Sequence, residues 1–321
     1  MQKKVLLGGI VGVVLAAGVG VYHYVNYQAS TVLVEQIAVI NQSYAAMAAD
    51  GLMPGVVLSY QQVQANYWRN DYQIKGLAIN VAGLGVLAEV AGIRVKGFKP
   101  GTLSDWGAVS INGVKLARGM QILLPPALAE LSAELELNTD YQYQYQASTG
   151  ELLLKQQLQL GKQFSLQYQV TLQQMQPLWQ FASALHAMDA PSQQRYSQSA
   201  EYGNTLSEAL AQGALQQGSL ELNNSGFLQA LHSALEASAQ TAQLSGLKLQ
   251  LEQYLHSNTE LPEAVLQPLQ AFLAEPRYIK LAFRLTEPLR FAQLEDEAFM
   301  EQLQTPEQLI QFSHLQLTVN P

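Results

Sequence analysis

YQYQYQASTGELLLKQQLQLGKQFSLQYQVTLQ, residues 141–173, is the stretch that decides the fold class. Tyr141, Tyr143 and Tyr145 alternate with Gln142, Gln144 and Gln146. After the Thr149-Gly150 turn, Leu152, Leu154, Leu158 and Leu160 keep the phase. After Gly161-Lys162, Phe164, Leu166, Tyr168, Val170 and Leu172 alternate with Ser165, Gln167, Gln169, Thr171 and Gln173. A strand sends successive side chains to opposite faces, so a strict period of two gives one apolar and one polar face. Strands joined by such short turns pair antiparallel, and a sheet patterned this way is covered on one side only.

Towards the N-terminus the extended character continues. Val56–Gln64 and Tyr72–Asn80 are rich in β-branched and aromatic residues and are separated by the polar turn Arg69-Asn70-Asp71. Ile93–Phe98 and Ala108–Leu116 follow, with Lys99-Pro100-Gly101 as punctuation. Pro125 and Pro126 open a short helix running to about Leu135. Towards the C-terminus helices become more frequent. Leu178–Met188 precedes a polar, mobile stretch from Asp189 to Asn204, and Ser219–Leu222 reads as a strand. Ser225 is placed to cap a helix over Gly226–Ala239, with further helices at Leu247–His256 and Pro262–Ala274. Tyr278–Leu285 alternates again, and His314–Val319 reads as a closing strand. Leu166–Leu185 and Ser219–Leu235 share a strand-then-helix order.

Val5–Val25 is apolar throughout apart from His23, and at about 1.5 Å per residue it spans roughly 31 Å, enough for a bilayer core. Lys3 and Lys4 precede it and no Lys or Arg follows until Arg69, so the N-terminus is expected in the cytoplasm and the rest across the membrane. Tyr22, Tyr24 and Tyr27 stand where the far interface falls. A cleaved signal peptide fits less well, because the apolar run is too long and its small-residue site at Ala16 and Ala17 lies inside it. Ser30 is placed to cap a stalk helix to Ala49, stopped by Gly51. Gly8, Gly12, Ala16 and Gly20 repeat every four residues, the spacing of a ridge for contact with another membrane helix. The expected organisation is a cytoplasmic tip and anchor over residues 1–27 and a stalk over 28–50. A β-rich meander over 51–176 and a mixed helix and strand region over 177–321 complete one exported domain.

Composition excludes several functions. There is no cysteine, hence no disulfide, thiolate metal site, cysteine nucleophile or lipoprotein anchor. Setting aside Lys3 and Lys4 leaves 15 basic against 25 acidic residues, which argues against nucleic acid as a partner. Only 13% of residues are charged and about forty are glutamine, so much of the polar surface is neutral amide.

The motifs carry little chemistry. Gly83-Leu-Gly85-Val-Leu-Ala88 matches a dinucleotide fingerprint, but only about eight residues separate it from the next strand, too few for the crossover helix. It reads as a glycine turn. Ser245-Gly-Leu-Lys248 has the spacing of serine acyl-enzymes without their partner motifs, and Ser245 reads as a helix cap. His23, His186, His232, His256 and His314 are scattered, with no carboxylate at ligand spacing. Glu295-Asp296-Glu297 suits a helix start. No catalytic, cofactor-binding or metal-binding residues are nominated, because no acid, base and nucleophile converge.

Tyr143-Gln-Tyr-Gln-Ala-Ser-Thr-Gly-Glu-Leu-Leu-Leu-Lys with Phe164-Ser-Leu-Gln-Tyr-Gln-Val-Thr-Leu, and Gly218-Ser-Leu-Glu-Leu-Asn-Asn-Ser-Gly-Phe-Leu, look like segments of bacterial envelope proteins. The closing Ala271-Phe-Leu-Ala-Glu-Pro-Arg-Tyr-Ile-Lys-Leu-Ala-Phe-Arg-Leu-Thr-Glu-Pro-Leu fits the same pattern, as do the early Val57-Leu-Ser-Tyr-Gln-Gln-Val strand and the N-terminal anchor. Together they resemble AsmA-like or YdgA-like proteins of the bacterial inner membrane. The resemblance implies a periplasm-facing domain and a curved sheet with an apolar concave face, associated in larger relatives with lipid traffic. This chain is much shorter than those.

The expected fold is therefore α+β: one transmembrane helix, then a curved, mainly antiparallel sheet with helices on one face. The apolar face either cradles a membrane lipid or another hydrophobic ligand, or is closed by the helices of the second half. Tyr143, Tyr145, Phe164, Leu166, Tyr168 and Val170 are the residues expected to line it if it is open. The alternative function is an anchored scaffold with a protein partner in the envelope.

Overall fold

The computed structural model describes residues 29–66, 70–99, 102–238, 253 and 261–321. The anchor Val5–Val25 with Gly8, Gly12, Ala16 and Gly20, the Ser245–Lys248 motif and most of the Leu247–His256 segment lie outside them. Among the described residues no helix is long and apolar enough to cross a membrane.

One antiparallel sheet organises the chain. Helix α1 (Ala29–Ala49), which already includes Ser30, leads to β1 (Val56–Ser59) and β2 (Gln62–Asn66). Then β3 (Asp71–Val81), β4 (Gly85–Lys96) and β5 (Trp106–Leu116) follow, each pairing with the next. A short helix α2 (Arg118–Gln121) and α3 (Pro126–Glu134) precede β6 (Leu137–Gln146), β7 (Glu151–Leu160) and β8 (Phe164–Gln173). Helices α4 (Gln176–Ala187), α5 (Ala190–Ser197) and α6 (Ala200–Ala211) intervene before β9 (Ala214–Asn224). After α7 (Phe227–Ala237) and α8 (Glu263–Ala274) comes β10 (Tyr278–Arg290). Short helical turns, with α9 (Glu297–Met300) and α10 (Pro306–Ser313), lead to the edge strand β11 (Gln316–Val319). From β3 to β11 every strand neighbours the next in sequence, while β1 and β2 both pair with β3. The helices are excursions from a single long meander.

Several local expectations change. Val56–Gln64 is two strands broken at Tyr60-Gln61, because β1 and β2 pair with different halves of β3. The Asn41 side chain closes the edge of β1: its Nδ2 donates to Leu58 O at 2.9 Å and its Oδ1 accepts from Leu58 N at 2.7 Å. Within β3 and β5, Gly76 (φ 60°) and Gly113 (φ 66°) take left-handed conformations that L side chains rarely adopt, and these reverse the alternation. Tyr72 and Ile74 thereby enter the same core as Leu77 and Ile79. Gly83 and Gly85, both at positive φ, make the β3–β4 hairpin turn.

The polar stretch Asp189–Asn204 is helical rather than a loop. The Asp189 carboxylate accepts from Ser192 N at 2.7 Å and the Ser199 hydroxyl from Tyr202 N at 3.2 Å, so each short helix has its own cap. Phe181, Tyr196 and Tyr202 form an aromatic triad that binds α4, α5 and α6 together. The strand read at Ser219–Leu222 extends over Ala214–Asn224, and Tyr278–Leu285 extends to Arg290. Helix α7 is capped not by Ser225 but by Asn224, whose Oδ1 accepts from Leu228 N at 2.9 Å while Gly226 turns the chain at φ 113°. The closing strand starts at Gln316, because His314 ends α10 in a left-handed conformation.

Two cores form on the apolar face. Ile37 of α1 packs with the buried residues of β1 and β3–β5, and a smaller cluster joins Tyr143, Tyr145, Leu152 and Met175.

Candidate functional site

The strand registers place residues in rows that cross the sheet. One row runs Tyr72, Val95, Val109, Tyr141, Gln156, Tyr168, Leu220, Leu281, Leu317 over nine strands. The next runs Ile74, Ile93, Ile111, Thr139, Leu158, Leu166, Leu222, Ile279, Val319. On the other side lies Gly107, Tyr143, Leu154, Val170, Gly218, Phe283. None of these positions carries a charge. The opposite face shows the complementary pattern: Gln73, Arg94, Ser110, Asp140, Gln157, Gln167, Glu221, Lys280 and Thr318 stand in one row. It is laced by the Arg94–Asp71 pair and a longer Lys280–Glu221 contact at 3.7 Å.

Burial is not uniform along the apolar rows. Tyr72 is 2% exposed, and Val95 and Val109 are each 5% exposed. Tyr141, Gln156 and Tyr168 are half-buried, and Leu220 is 39% exposed. Among the described residues, the face is a closed core at β3–β5 and an open floor across β7–β11.

The six residues expected to line this face all stand on it, but in different settings. Tyr143 and Tyr145 are buried beneath α4: Trp179 stacks on Tyr145 at 4.1 Å between ring centroids and leans on Tyr143 at 5.9 Å. Phe164, at the opposite end of the strands, meets Phe227 of α7 at 5.4 Å. Leu166, Tyr168 and Val170 lie half-buried between these two helical flanks. The flanks oppose each other because β8 and β9 run antiparallel, so the helix that follows each strand emerges at the opposite end of the sheet. The result is a trough running across the strands.

Gln156 and Tyr168 are polar groups on the floor. Tyr168 OH donates to Gln156 Oε1 at 2.8 Å, and Gln156 Nε2 donates to Thr139 Oγ1 at 3.3 Å, so each polar atom in this chain meets a partner. Burial, with the neighbouring hydroxyls of Tyr168 and Tyr143, pushes the Tyr141 pKa up to about 12. Two glycines admit large rings from the adjacent strand. A Cβ on Gly107 would lie 2.5 Å from the Tyr143 ring, and one on Gly218 would lie 2.5 Å from the Phe283 ring.

Beyond β6 the face continues beneath α4 and α6 into a cavity of about 480 Å³. His186 stands in its wall, with Nε2 at 3.3 Å from Lys99 O and its ring 6.2 Å from that of Phe98. Burial pushes the His186 pKa below the ordinary histidine value, against the opposing pull of the Lys99 and Thr102 backbone. A separate open depression of about 600 Å³ on the polar face is lined by Gln169, Thr171, Gln217, Lys280, Arg284 and His314. His232 is paired with Glu236 at 3.2 Å on the surface of α7. His314 Nε2 lies 2.9 Å from Thr286 Oγ1. Asp296 caps α9 through Ala298 N and Phe299 N, which accounts for the acidic run. Among the described residues no group of three or more His, Asp or Glu side chains is placed to hold a metal ion.

The sequence pattern identified the face but not its cover. Trp179 and Phe227 were legible only as helix residues, and Ser104, buried at the cavity, carries no periodic signal. A family model described as "Uncharacterized protein" matches residues 157–320, just over half of the chain. No curated protein matches it.

Proposed function

The chain belongs to this family of uncharacterized proteins, and we propose that it is a non-enzymatic envelope protein, anchored by Val5–Val25, that holds an acyl chain on its open sheet face. The observation that carries this reading is the burial gradient along one row of side chains, from Tyr72 at 2% to Leu220 at 39% exposed. A sheet face that served only as core would be covered along its whole length. Here the covered part already supplies a large buried cluster, and the uncovered part is an additional apolar surface.

The floor suits a long, uncharged guest. From β7 to β11 it crosses four strand spacings, about 19 Å at ~4.8 Å each, a length comparable to an extended acyl chain. It offers Leu, Val, Phe and Ile side chains with one hydrogen-bonded polar chain, Thr139–Gln156–Tyr168, and no charge. The family match, residues 157–320, spans β8–β11 and so contains most of the open half. The AsmA-like resemblance supports the periplasmic side of the inner membrane as the setting.

The test is native mass spectrometry with lipid extraction on the full chain and on Leu220→Glu, purified identically. Near-stoichiometric phospholipid or fatty acid on the natural chain, lost in the variant, is the expected result. Equal lipid content in both, or none in either, sinks the reading.

A second reading, the anchored scaffold, rests on a different place. Leu52, Leu84, Ile122 and Leu123 are exposed apolar residues on three connections. The connections lie at one end of the sheet, where Ala82 N donates to Gly55 O and Ala117 N to Leu87 O. Such a patch fits a protein partner. A stoichiometric partner lost on Ile122→Asp, with no lipid bound, would favour it.

A further inference from the structure

The cavity beneath α4 has features that the open floor lacks. Its walls hold three ring pairs: Phe98 with His186 at 6.2 Å, Tyr143 with Trp179 at 5.9 Å, and Phe181 with Tyr202 at 5.5 Å between centroids. Gly97 brings the chain close at this point, since a Cβ there would lie 2.4 Å from Trp106 O. Ser104 lines the cavity, is 8% exposed, and its hydroxyl has no hydrogen-bond partner among the described residues. Its backbone carbonyl is engaged, accepting from Tyr143 OH at 2.9 Å. A buried hydroxyl without a partner is costly, and native proteins retain such groups where a ligand or water completes them.

We propose that this cavity is a second binding site, separate from the open floor, for an uncharged aromatic molecule with one hydrogen-bonding group that Ser104 Oγ meets. Aromatic walls accept the face or edge of a ring and a single polar group fixes its orientation. The volume, about 480 Å³, is in the range of small-molecule pockets. Among the described residues no carboxylate lines it, whereas Lys96 and Lys99 do, so a cationic guest is disfavoured despite the rings. Burial lowers the His186 pKa and so disfavours its charged form. Trp179, stacked on Tyr145, stands in the cavity wall, whereas Val170 and Leu220 of the floor do not line the cavity.

The experiment measures binding of phenol and of toluene to the full chain by ligand-observed saturation-transfer NMR. The natural chain should bind phenol more tightly than toluene. Ser104→Ala should weaken phenol about fivefold, the factor one net hydrogen bond supplies, and leave toluene unchanged. Ala182→Phe, which fills the cavity from α4, should abolish both, and Leu220→Glu should affect neither. Should Ala182→Phe fail to fold, the contrast between phenol and toluene in Ser104→Ala decides alone. Equal binding of the two probes, no binding of either, an unaltered phenol affinity in Ser104→Ala, or loss of phenol in Leu220→Glu overturns the proposal. Only the last of these points to the open floor, so this inference and the acyl-chain reading fail separately.

Discussion

Trp179 lies nearly flat on Tyr145, with ring centroids 4.1 Å apart and planes 15° apart. The contact pins α4 to β6 and marks where the covered half of the apolar face ends. Met175, almost fully buried, precedes the helix and packs in the same cluster, so α4 leaves β8 directly onto its docking site.

Trp179→Ala removes both ring contacts and leaves a void above Tyr143 and Tyr145. Large-to-small changes of this kind cost about 3–5 kcal/mol when fully buried, and Trp179 is partly exposed, so a loss of about 3 kcal/mol is expected. Urea denaturation measures it. A loss below about 1 kcal/mol would mean that α4 is held elsewhere.

Ser104→Ala should behave in the opposite sense. Deleting a buried hydroxyl that lacks a partner is expected to leave the empty protein as stable or up to about 1 kcal/mol more stable. Thermal unfolding of the two proteins without added ligand checks this. Clear destabilisation would indicate that the hydroxyl already has a partner.

Asn224 ties three elements together from the buried end of β9. Its Oδ1 accepts from Leu228 N at 2.9 Å and its Nδ2 donates to Gln229 Oε1 at 2.8 Å and to Pro276 O. Asn224→Ala removes a helix cap and leaves buried partners unsatisfied, so a loss of about 2–3 kcal/mol is expected. Asn224→Asp should recover only the bond from Leu228 N, since a carboxylate cannot donate to Pro276 O. Comparison of the two variants by chemical denaturation separates the cap from the strand junction.

Tyr141 sets the alkaline limit. Its pKa is raised in the folded state from 10.0 to about 12, so the native state prefers the neutral phenol. The stability this contributes is complete below about pH 10 and is lost as the pH rises through about 12. Tyr141→Phe should flatten the fall in stability over that window, seen by phenolate absorbance and denaturation at several pH values. His186 acts at the acid end: its pKa is lowered in the fold, so its contribution is present above 6.5 and is lost as pH falls through the lower folded value.

Much of the sheet is legible in the sequence. Tyr141–Gln173 resolves into β6, β7 and β8 with turns at Thr149-Gly150 and Gly161-Lys162, because alternation and turn chemistry agree there. The helices over Asp189–Asn204 were missed because their residues are polar. The legible signal was in the caps, Asp189 before Ala-Pro-Ser and Ser199 before Ala-Glu-Tyr. The left-handed kinks at Gly76 and Gly113 look, in one dimension, like a fault in the alternation, and only the pairing of neighbouring strands explains them.

The sequence alone determined which side chains share a face, since the pleat of a strand is a local property with a period of two. It determined in the same way that over Tyr141–Gln173 one face is apolar and the other glutamine-rich. Whether that apolar face is core or open floor was decided only by the tertiary structure. Cover comes from helices inserted between strands, and where each helix lands depends on strand direction and on distant contacts such as Trp179 on Tyr145 and Phe227 on Phe164. Tyr143 and Val170 belong to one row of one face, yet Tyr143 lies buried beneath α4 and Val170 lies half-buried in the floor between the two flanks. No local periodicity distinguishes them, because the difference lies in what stands above the sheet.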